Sequence, residues 1–140
     1  MRPTIFIFLL IFVAACTSTK NVLLIPSKLN GTWIPERLEI DGADLPKVSF
    51  EKQRLIIADS AYTFIAESTD WGVVKIKDDK MDIYGTDGVN AGKHFTTIWK
   101  FENEKLVICY NLAGDKYPET FETKGKPMHF LAVFIREEKK

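Results

Sequence analysis

Few side chains in this 140-residue chain stand in an arrangement that could perform catalysis. Residues 88–93 contain the two glycines and the lysine of a phosphate-binding loop, but such a loop needs four residues between its glycines and a Ser or Thr after its lysine. Here three residues separate Gly88 from Gly92, and His94 follows Lys93. We therefore interpret this segment as a hairpin loop whose glycines adopt positive φ.

The histidines and carboxylates do not indicate a metal or acid–base site. The two histidines, His94 and His129, fall in different predicted strands and have no cysteine or acid at the spacing of zinc ligands. Asp78 and Asp79 stand in a turn beside lysines, where a solvated surface is expected. The motifs Gly-x-Ser-x-Gly, Cys-x-x-Cys and His-Glu-x-x-His do not occur. We predict no enzyme activity, no metal ligand and no cofactor.

The N-terminal segment indicates a different chemistry, which is covalent lipidation. Arg2 is followed by the nine apolar residues 5–13, and then by two alanines and Cys16. The apolar run is too short to span a membrane, which takes about 20 residues, and fits the hydrophobic region of a secretory signal. The segment resembles a bacterial lipoprotein signal peptide, in which the cysteine becomes the first mature residue and carries lipid.

We expect residues 1–15 to be the signal peptide, residues 16–30 a lipidated tether, and residues 31–140 the folded domain. The resemblance implies a diacylglyceride and an N-acyl chain on Cys16, and several chains anchor durably because each buried methylene adds ~0.8 kcal/mol. Thr17, rather than an aspartate, follows the cysteine. In similar lipoproteins a residue other than aspartate at this position allows transfer to the outer membrane. The expected location is therefore the bacterial cell envelope, at the outer membrane facing the periplasm.

The charge balance excludes one class of partner. The chain has 19 basic and 19 acidic residues, and removal of residues 1–15 takes away the charge of Arg2 alone. A near-neutral domain offers no electrostatic basis for binding nucleic acid.

If Cys16 is acylated, the other cysteine, Cys109, has no intrachain partner. We predict that Cys109 is a small apolar residue in a strand and that packing, not a disulfide, holds the domain together.

From Gly31 onward the chain alternates between apolar and polar residues, with turn signals between short runs. The predicted strands cover residues 33–40, 54–58, 61–67, 72–77, 81–84, 93–101, 106–111 and 129–136. The linker 43–53 has room for one short helical turn. Consecutive hairpins with one apolar face predict an all-β fold, as an up-and-down barrel or a two-sheet sandwich. We favour an eight-stranded antiparallel barrel, because closure removes exposed strand edges.

The residues Gly31 and Trp33 at the start of the first strand resemble the Gly-x-Trp signature of lipocalin-like, or calycin, barrels. In those folds the tryptophan plugs one end of the barrel, and an arginine from the last strand packs across it. Arg136 stands where that arginine is expected. The resemblance therefore implies a lipocalin-like barrel.

Residues 30–137 resemble more closely a group of uncharacterised secreted and lipoprotein domains common in planctomycetes. The shared segments are Leu29-x-Gly31-Thr32-Trp33, Asp41-Gly42, Tyr62-Thr63-Phe64, Asp87-Gly88 with Gly92-Lys93, Leu106-x-Ile108-Cys109, Pro118-x-x-Phe121, and the final strand to Arg136-Glu137. That group usually has an arginine before the proline, where this chain has Tyr117. The likeness implies a fold and no established activity.

The inward-facing apolar residues are the strongest functional feature. An eight-stranded barrel is either filled by its own side chains or holds one small ligand, and both interpretations stay open here. A cavity would suit a small hydrophobic or amphiphilic ligand, with Arg54, Tyr62 and Thr97 as polar groups. The predicted lining residues are Tyr62, Phe64, Val74, Ile76, Ile83, Thr97, Trp99, Phe101, Ile108, Phe130 and Phe134.

The alternative is an interaction or inhibitor module with a packed barrel that contacts an envelope protein through its loops. Residues 112–128, with Tyr117, Pro118 and Phe121, would then form the contact surface. The last strand is apolar on both faces and needs a cover. We expect residues 22–25 to provide it, with a partner protein as the other option.

Overall fold

A computed structural model describes residues 25–138, so the expected signal peptide of residues 1–15, Cys16 and residues 17–24 of the expected tether lie outside the described residues. Short 3-10 turns cover Ser27–Leu29 and Lys47–Ser49, the second within the linker where a helical turn was expected. Among residues 25–138, none of the helices has the length and apolar character needed to cross a membrane. The strands are β1 (Gly31–Ile40), β2 (Ala43–Asp44), β3 (Arg54–Ala58), β4 (Ala61–Ile65), β5 (Thr69–Lys77), β6 (Lys80–Asp87), β7 (His94–Glu102), β8 (Lys105–Asn111) and β9 (His129–Arg136).

The strands form an up-and-down barrel. From β3 to β9 each strand pairs antiparallel with the next, and β1 pairs with both β3 and β9, which closes the sheet. The two-residue β2 is an extra strand that pairs only with the end of β1. The prediction of an all-β, eight-stranded antiparallel barrel is therefore confirmed.

The predicted strands β5 and β6 were too short, since β5 begins at Thr69 and not at Gly72, and β6 covers Lys80–Asp87 and not only residues 81–84. Thr69 pairs with Ile65 of β4, and β5 contains a bulge between Trp71 and Gly72 where it faces β6. The polar residues Thr69 and Asp70 hid the strand, because Asp70 is a buried polar residue at a position that the alternation assigns to apolar side chains.

One end of the barrel is closed around Trp33, which is fully buried. The indole Nε1 donates to the carbonyl oxygen of Leu29 at 2.8 Å, and the guanidinium of Arg136 lies 4.2 Å from the centre of the ring. Arg136 also donates to the carbonyl oxygens of Asn30 and Lys28, at 2.6 and 2.5 Å. The arginine therefore joins the last strand to the turn that precedes the first strand.

Gly31 has φ +140°, and a Cβ at this position would collide with Nη1 of Arg136. Both the backbone conformation and the closeness of the guanidinium favour glycine here, since only glycine adopts such a φ without strain. A single packing arrangement therefore accounts for the glycine at position 31, the tryptophan at position 33 and the arginine at position 136.

The outer wall over β7, β8 and β9 carries a second apolar cluster, formed by Ile98, Val107, Cys109 and Leu131. Tyr117 and Phe121, from the connection 112–128, pack against it. This connection is the cover that the structure places on the outer face of β9. The expected cover by residues 22–25 stays a prediction, because residues 22–24 lie outside the described residues. Of residues 22–25 only Ile25 is described, and it packs against the inner core.

Candidate ligand cavity

An internal cavity of about 480 Å³ occupies the barrel on the side away from Trp33. Its wall consists mostly of apolar side chains that point inward from the strands. The lining residues are Leu38, Gln53, Leu55, Ile57, Tyr62, Phe64, Val74, Met81, Ile83, Asn90, Lys93, Phe95, Ile108, Tyr110, Leu112, Met128, Phe130 and Phe134.

The mouth of the cavity is formed by residues from three connections. Gln53 precedes β3, Asn90 and Lys93 belong to the loop between β6 and β7, and Leu112 and Met128 flank the long connection before β9. These connections lie at the end of the barrel opposite the 3-10 turn Ser27–Leu29. The barrel is therefore closed at one end and lined by partly polar residues at the other.

Seven of the eleven predicted lining residues border the cavity, namely Tyr62, Phe64, Val74, Ile83, Ile108, Phe130 and Phe134. The other four, Ile76, Thr97, Trp99 and Phe101, do not line it. Ile76, Trp99 and Phe101 belong to the core around Trp33, where Trp99 and Phe101 pack edge to face at 5.8 Å. Thr97 is fully buried, and its hydroxyl donates to the carbonyl oxygen of Met81 at 3.0 Å.

Two tyrosines, Tyr62 and Tyr110, line the cavity in addition to the polar mouth residues Gln53, Asn90 and Lys93. Burial raises the pKa of both tyrosines, and the charge of Asp70 adds to the rise in the pKa of Tyr62. Both side chains therefore stay protonated at neutral pH and can donate a hydrogen bond. Arg54, the third polar group expected there, instead pairs with Glu137 at 3.1 Å and does not border the cavity.

Several lining residues were missed at the level of sequence. Tyr110 stands two positions after Ile108 in the same strand, so the alternation of β8 could have identified it. Phe95 shares a face with the predicted Thr97, and Met81 lies at the start of a strand that was recognised. Leu112 and Met128 are exposed residues of the long connection and carried no periodic signal.

The loop of residues 88–93 is shaped by a buried acid. Asp70 is 3% exposed, and its two carboxylate oxygens accept hydrogen bonds from the backbone and side-chain nitrogens of Asn90, at 2.9 and 3.1 Å. The side chain of Lys93 donates to Oδ1 of Asn90 at 3.2 Å. Gly88 and Gly92 both have positive φ, as expected for a hairpin loop. The loop thus forms part of the mouth of the cavity.

His94 takes part in a polar cluster on the outer wall of the barrel. Its Nε2 lies 2.7 Å from Oδ1 of Asp82, and Tyr117 donates to Oδ2 of the same carboxylate at 2.7 Å. The imidazole also stacks on Tyr84 with a centroid distance of 4.4 Å. This cluster fixes the long connection to the wall, and His129 is not part of it. Within residues 25–138, His, Cys, Asp and Glu side chains form no group of three that could hold a metal ion.

The connection 112–128, predicted as an alternative contact surface, uses its apolar side chains within the protein. Tyr117 and Phe121 are half-buried against the outer wall, and Pro118 is buried. Thr123, also buried, donates to Oε1 of Glu39 at 2.5 Å. The residues proposed to contact a partner are therefore largely engaged by the barrel.

Comparison with known proteins leaves the cavity as the principal indication of function. Searches of protein-family models, of curated proteins and of solved structures found no match to this chain.

Proposed function

We propose that this protein is a lipid-anchored protein of the bacterial cell envelope whose lipocalin-like barrel binds one small hydrophobic or amphiphilic molecule. The observation that carries the proposal is the apolar cavity of about 480 Å³ inside the barrel. Ligand sites typically measure ~300–1,000 Å³ and combine apolar walls with a few polar groups. A relation to lipocalin-like proteins is supported by the packing of Arg136 across Trp33 at the closed end.

The proposal has an energetic basis in the composition of the wall. Leu55, Ile57 and Val74 are among the cavity residues that are less than a tenth exposed. Water in such a space makes few hydrogen bonds, whereas an apolar ligand would gain ~25 cal/mol for each Å² of apolar surface that it removes from water. A barrel that served only as a scaffold would be expected to fill this volume with its own side chains.

Ligand binding can be tested by filling the cavity. Val74 is 3% exposed and borders the cavity, whereas its neighbour Val73 is 36% exposed on the outer face of the same strand. We expect Val74→Trp to abolish the fluorescence increase of N-phenyl-1-naphthylamine, a neutral apolar probe, and Val73→Trp to preserve it. Native mass spectrometry of protein secreted to the periplasm should show a bound small molecule in the wild type and not in Val74→Trp.

Circular dichroism of both variants serves as the folding control. If Val74→Trp does not fold, the smaller change Ile83→Phe places added volume in the same space. An unliganded mass for the wild type, together with no response to the probe, would refute the proposed function.

We also propose that Cys16 carries the lipid anchor, on the basis of its position after the apolar run and two alanines. The described chain begins at the closed end of the barrel, so the tether would enter opposite the cavity mouth. We expect wild-type protein to incorporate radioactive palmitate and to sediment with membranes, and Cys16→Ser to do neither. Cys109→Ser is the matched control and should label like the wild type. Continued labelling of Cys16→Ser would contradict the assignment.

A further inference from the structure

We propose that the ligand carries a neutral oxygen atom that hydrogen-bonds to the hydroxyls of Tyr62 and Tyr110 inside the cavity. This inference rests on the proposed ligand-binding function and narrows the ligand to a class. The class consists of uncharged molecules with one apolar chain and one ketone, ester or alcohol oxygen.

The two tyrosine hydroxyls lack partners in the protein. Tyr62 is 6% exposed, both residues line the cavity, and neither hydroxyl makes a hydrogen bond to any other residue in the range 25–138. In that range, the fully enclosed side-chain nitrogen or oxygen atoms without a partner are Trp99 Nε1 and His129 Nδ1. The oxygens of Tyr62 and Tyr110 are not among these enclosed atoms, so they retain accessible surface, and we infer that this surface faces the cavity that both residues line.

Polar groups inside proteins are nearly always hydrogen-bonded, because an unpaired buried hydroxyl costs ~1–3 kcal/mol. An apolar ligand that displaced water from this cavity would leave both hydroxyls unpaired. A ligand with a suitably placed oxygen would avoid that cost. The wall around the tyrosines, with Val74, Ile83 and Phe134, would contact the apolar remainder of the molecule.

The charges near the cavity favour a neutral oxygen over a carboxylate. Asp70 is 3% exposed and close enough to Tyr62 to affect its titration, so its negative charge opposes an anion at that site. The one charged residue on the lining among residues 25–138 is Lys93, which is exposed at the mouth and hydrogen-bonded to Asn90. A buried carboxylate would thus meet no cation, which is unfavourable in a low-dielectric interior.

Three ligands of equal chain length distinguish these cases, namely nonane, 2-nonanone and nonanoate. The full chain carrying Cys16→Ser is used, so that acyl chains and detergent do not compete. In displacement of N-phenyl-1-naphthylamine, we expect 2-nonanone to act at about tenfold lower concentration than nonane, and nonanoate to be weaker than the ketone. Tyr62→Phe and Tyr110→Phe should each reduce the preference for the ketone severalfold without changing the response to nonane.

Tyr84→Phe is the matched control, because Tyr84 lies on the outer wall against His94 and does not border the cavity. It should leave all three displacement curves unchanged. Equal displacement by nonane and 2-nonanone would overturn the inference while leaving the proposed function intact. Tightest binding by nonanoate, lost in Lys93→Gln, would also overturn it, in favour of an anionic head group at the mouth. Failure of every ligand, and of the probe itself, would instead refute the proposed function.

Discussion

At the scale of single residues, the arrangement of Gly31, Trp33 and Arg136 explains how the barrel is sealed at one end. The guanidinium covers the indole and bonds to two carbonyl oxygens of the preceding turn. A cation over an aromatic ring contributes ~0.5–2 kcal/mol, and the charged hydrogen bonds add to this. One side chain thus joins the beginning and the end of the fold.

We predict that Gly31→Ala lowers the free energy of unfolding by about 2–4 kcal/mol, because it adds backbone strain at φ +140° and displaces Arg136. Gly125→Ala is a matched control, since Gly125 also has a positive φ, +69°, but has no heavy atom within 4 Å of an added Cβ. Gly125→Ala should lower the free energy of unfolding by about 1 kcal/mol, because it adds backbone strain alone. Urea unfolding measures both. Equal losses in the two variants would show that contact with Arg136 is unimportant.

Trp33 and Arg136 could be placed from the sequence because a short motif and a last-strand position specify them. The residues that line the cavity were harder to predict, because alternation predicts which face of the sheet a residue occupies and not its depth along the barrel. Trp99 and Phe101 share an inward face with Phe95, yet only Phe95 borders the cavity. Asp70 was missed because buried acids violate the apolar pattern on which the prediction relies.

At the scale of elements, the connection 112–128 acts as an outer layer on one side of the barrel. Thr123 accepts a hydrogen bond from the backbone of Gly42 at 2.8 Å and donates to Glu39, while Tyr117 bonds to Asp82. Phe121 packs against the outer cluster of Ile98, Val107, Cys109 and Leu131. The connection is therefore attached to β1, to the turn after β1 and to β6 by hydrogen bonds, and to β7, β8 and β9 by apolar contacts.

We predict that Phe121→Ala lowers the free energy of unfolding by about 1–2 kcal/mol, through the apolar contact that it removes from the outer cluster. Tyr117→Phe should cost about 1 kcal/mol, since it removes only the hydrogen bond to Asp82. Thermal unfolding followed by circular dichroism measures both variants. Val48→Ala, at a side chain that is 78% exposed, is the control and should leave stability unchanged. Wild-type stability in Phe121→Ala would show that the connection does not cover the wall.

Short strands with strict alternation were predictable, and β3 and β9 begin and end at the residues expected from sequence. The role of the long connection was not, because its apolar residues follow no period and contact strands far away in the chain. The apolar outer face of β9 indicated that some cover was required. It did not indicate which segment would supply it.

At the scale of the whole molecule, the barrel has an inner core around Trp33 and a smaller outer one around Cys109. Burial raises the pKa of Cys109 to about 11, and the hydrogen bond to Asp82 raises the pKa of Tyr117 to about 12. The folded protein therefore holds these protons more tightly than the unfolded chain does. Stability is fully present below the unfolded pKa of each group and is lost as the pH rises toward the folded value.

We predict that the free energy of unfolding is constant from pH 7 to 8.5 and falls between pH 9 and 11, the range set by the raised pKa of Cys109. Urea unfolding at fixed ionic strength measures this dependence. Cys109→Ala removes the titrating thiol and should reduce the slope in that interval, where Tyr117 also contributes above about pH 10, although it lowers stability at neutral pH. An unaltered slope in Cys109→Ala would mean that other groups cause the alkaline loss.

The packing of Arg136 against Asn30 has a mechanical consequence. The described chain enters β1 and leaves β9 at the same end of the barrel, and these strands pair antiparallel from Trp33 opposite Arg136 to Ile40 opposite Phe130. A force that pulled the two ends apart would load the interstrand hydrogen bonds one pair at a time, as in a zipper, and not all together in shear. The hydrogen bonds from Arg136 to the carbonyl oxygens of Asn30 and Lys28 lie at the end of the β1–β9 pairing where this separation would begin. We expect them, together with the bond from the backbone nitrogen of Glu137 to the carbonyl oxygen of Thr32, to raise the load at which the seam begins to open.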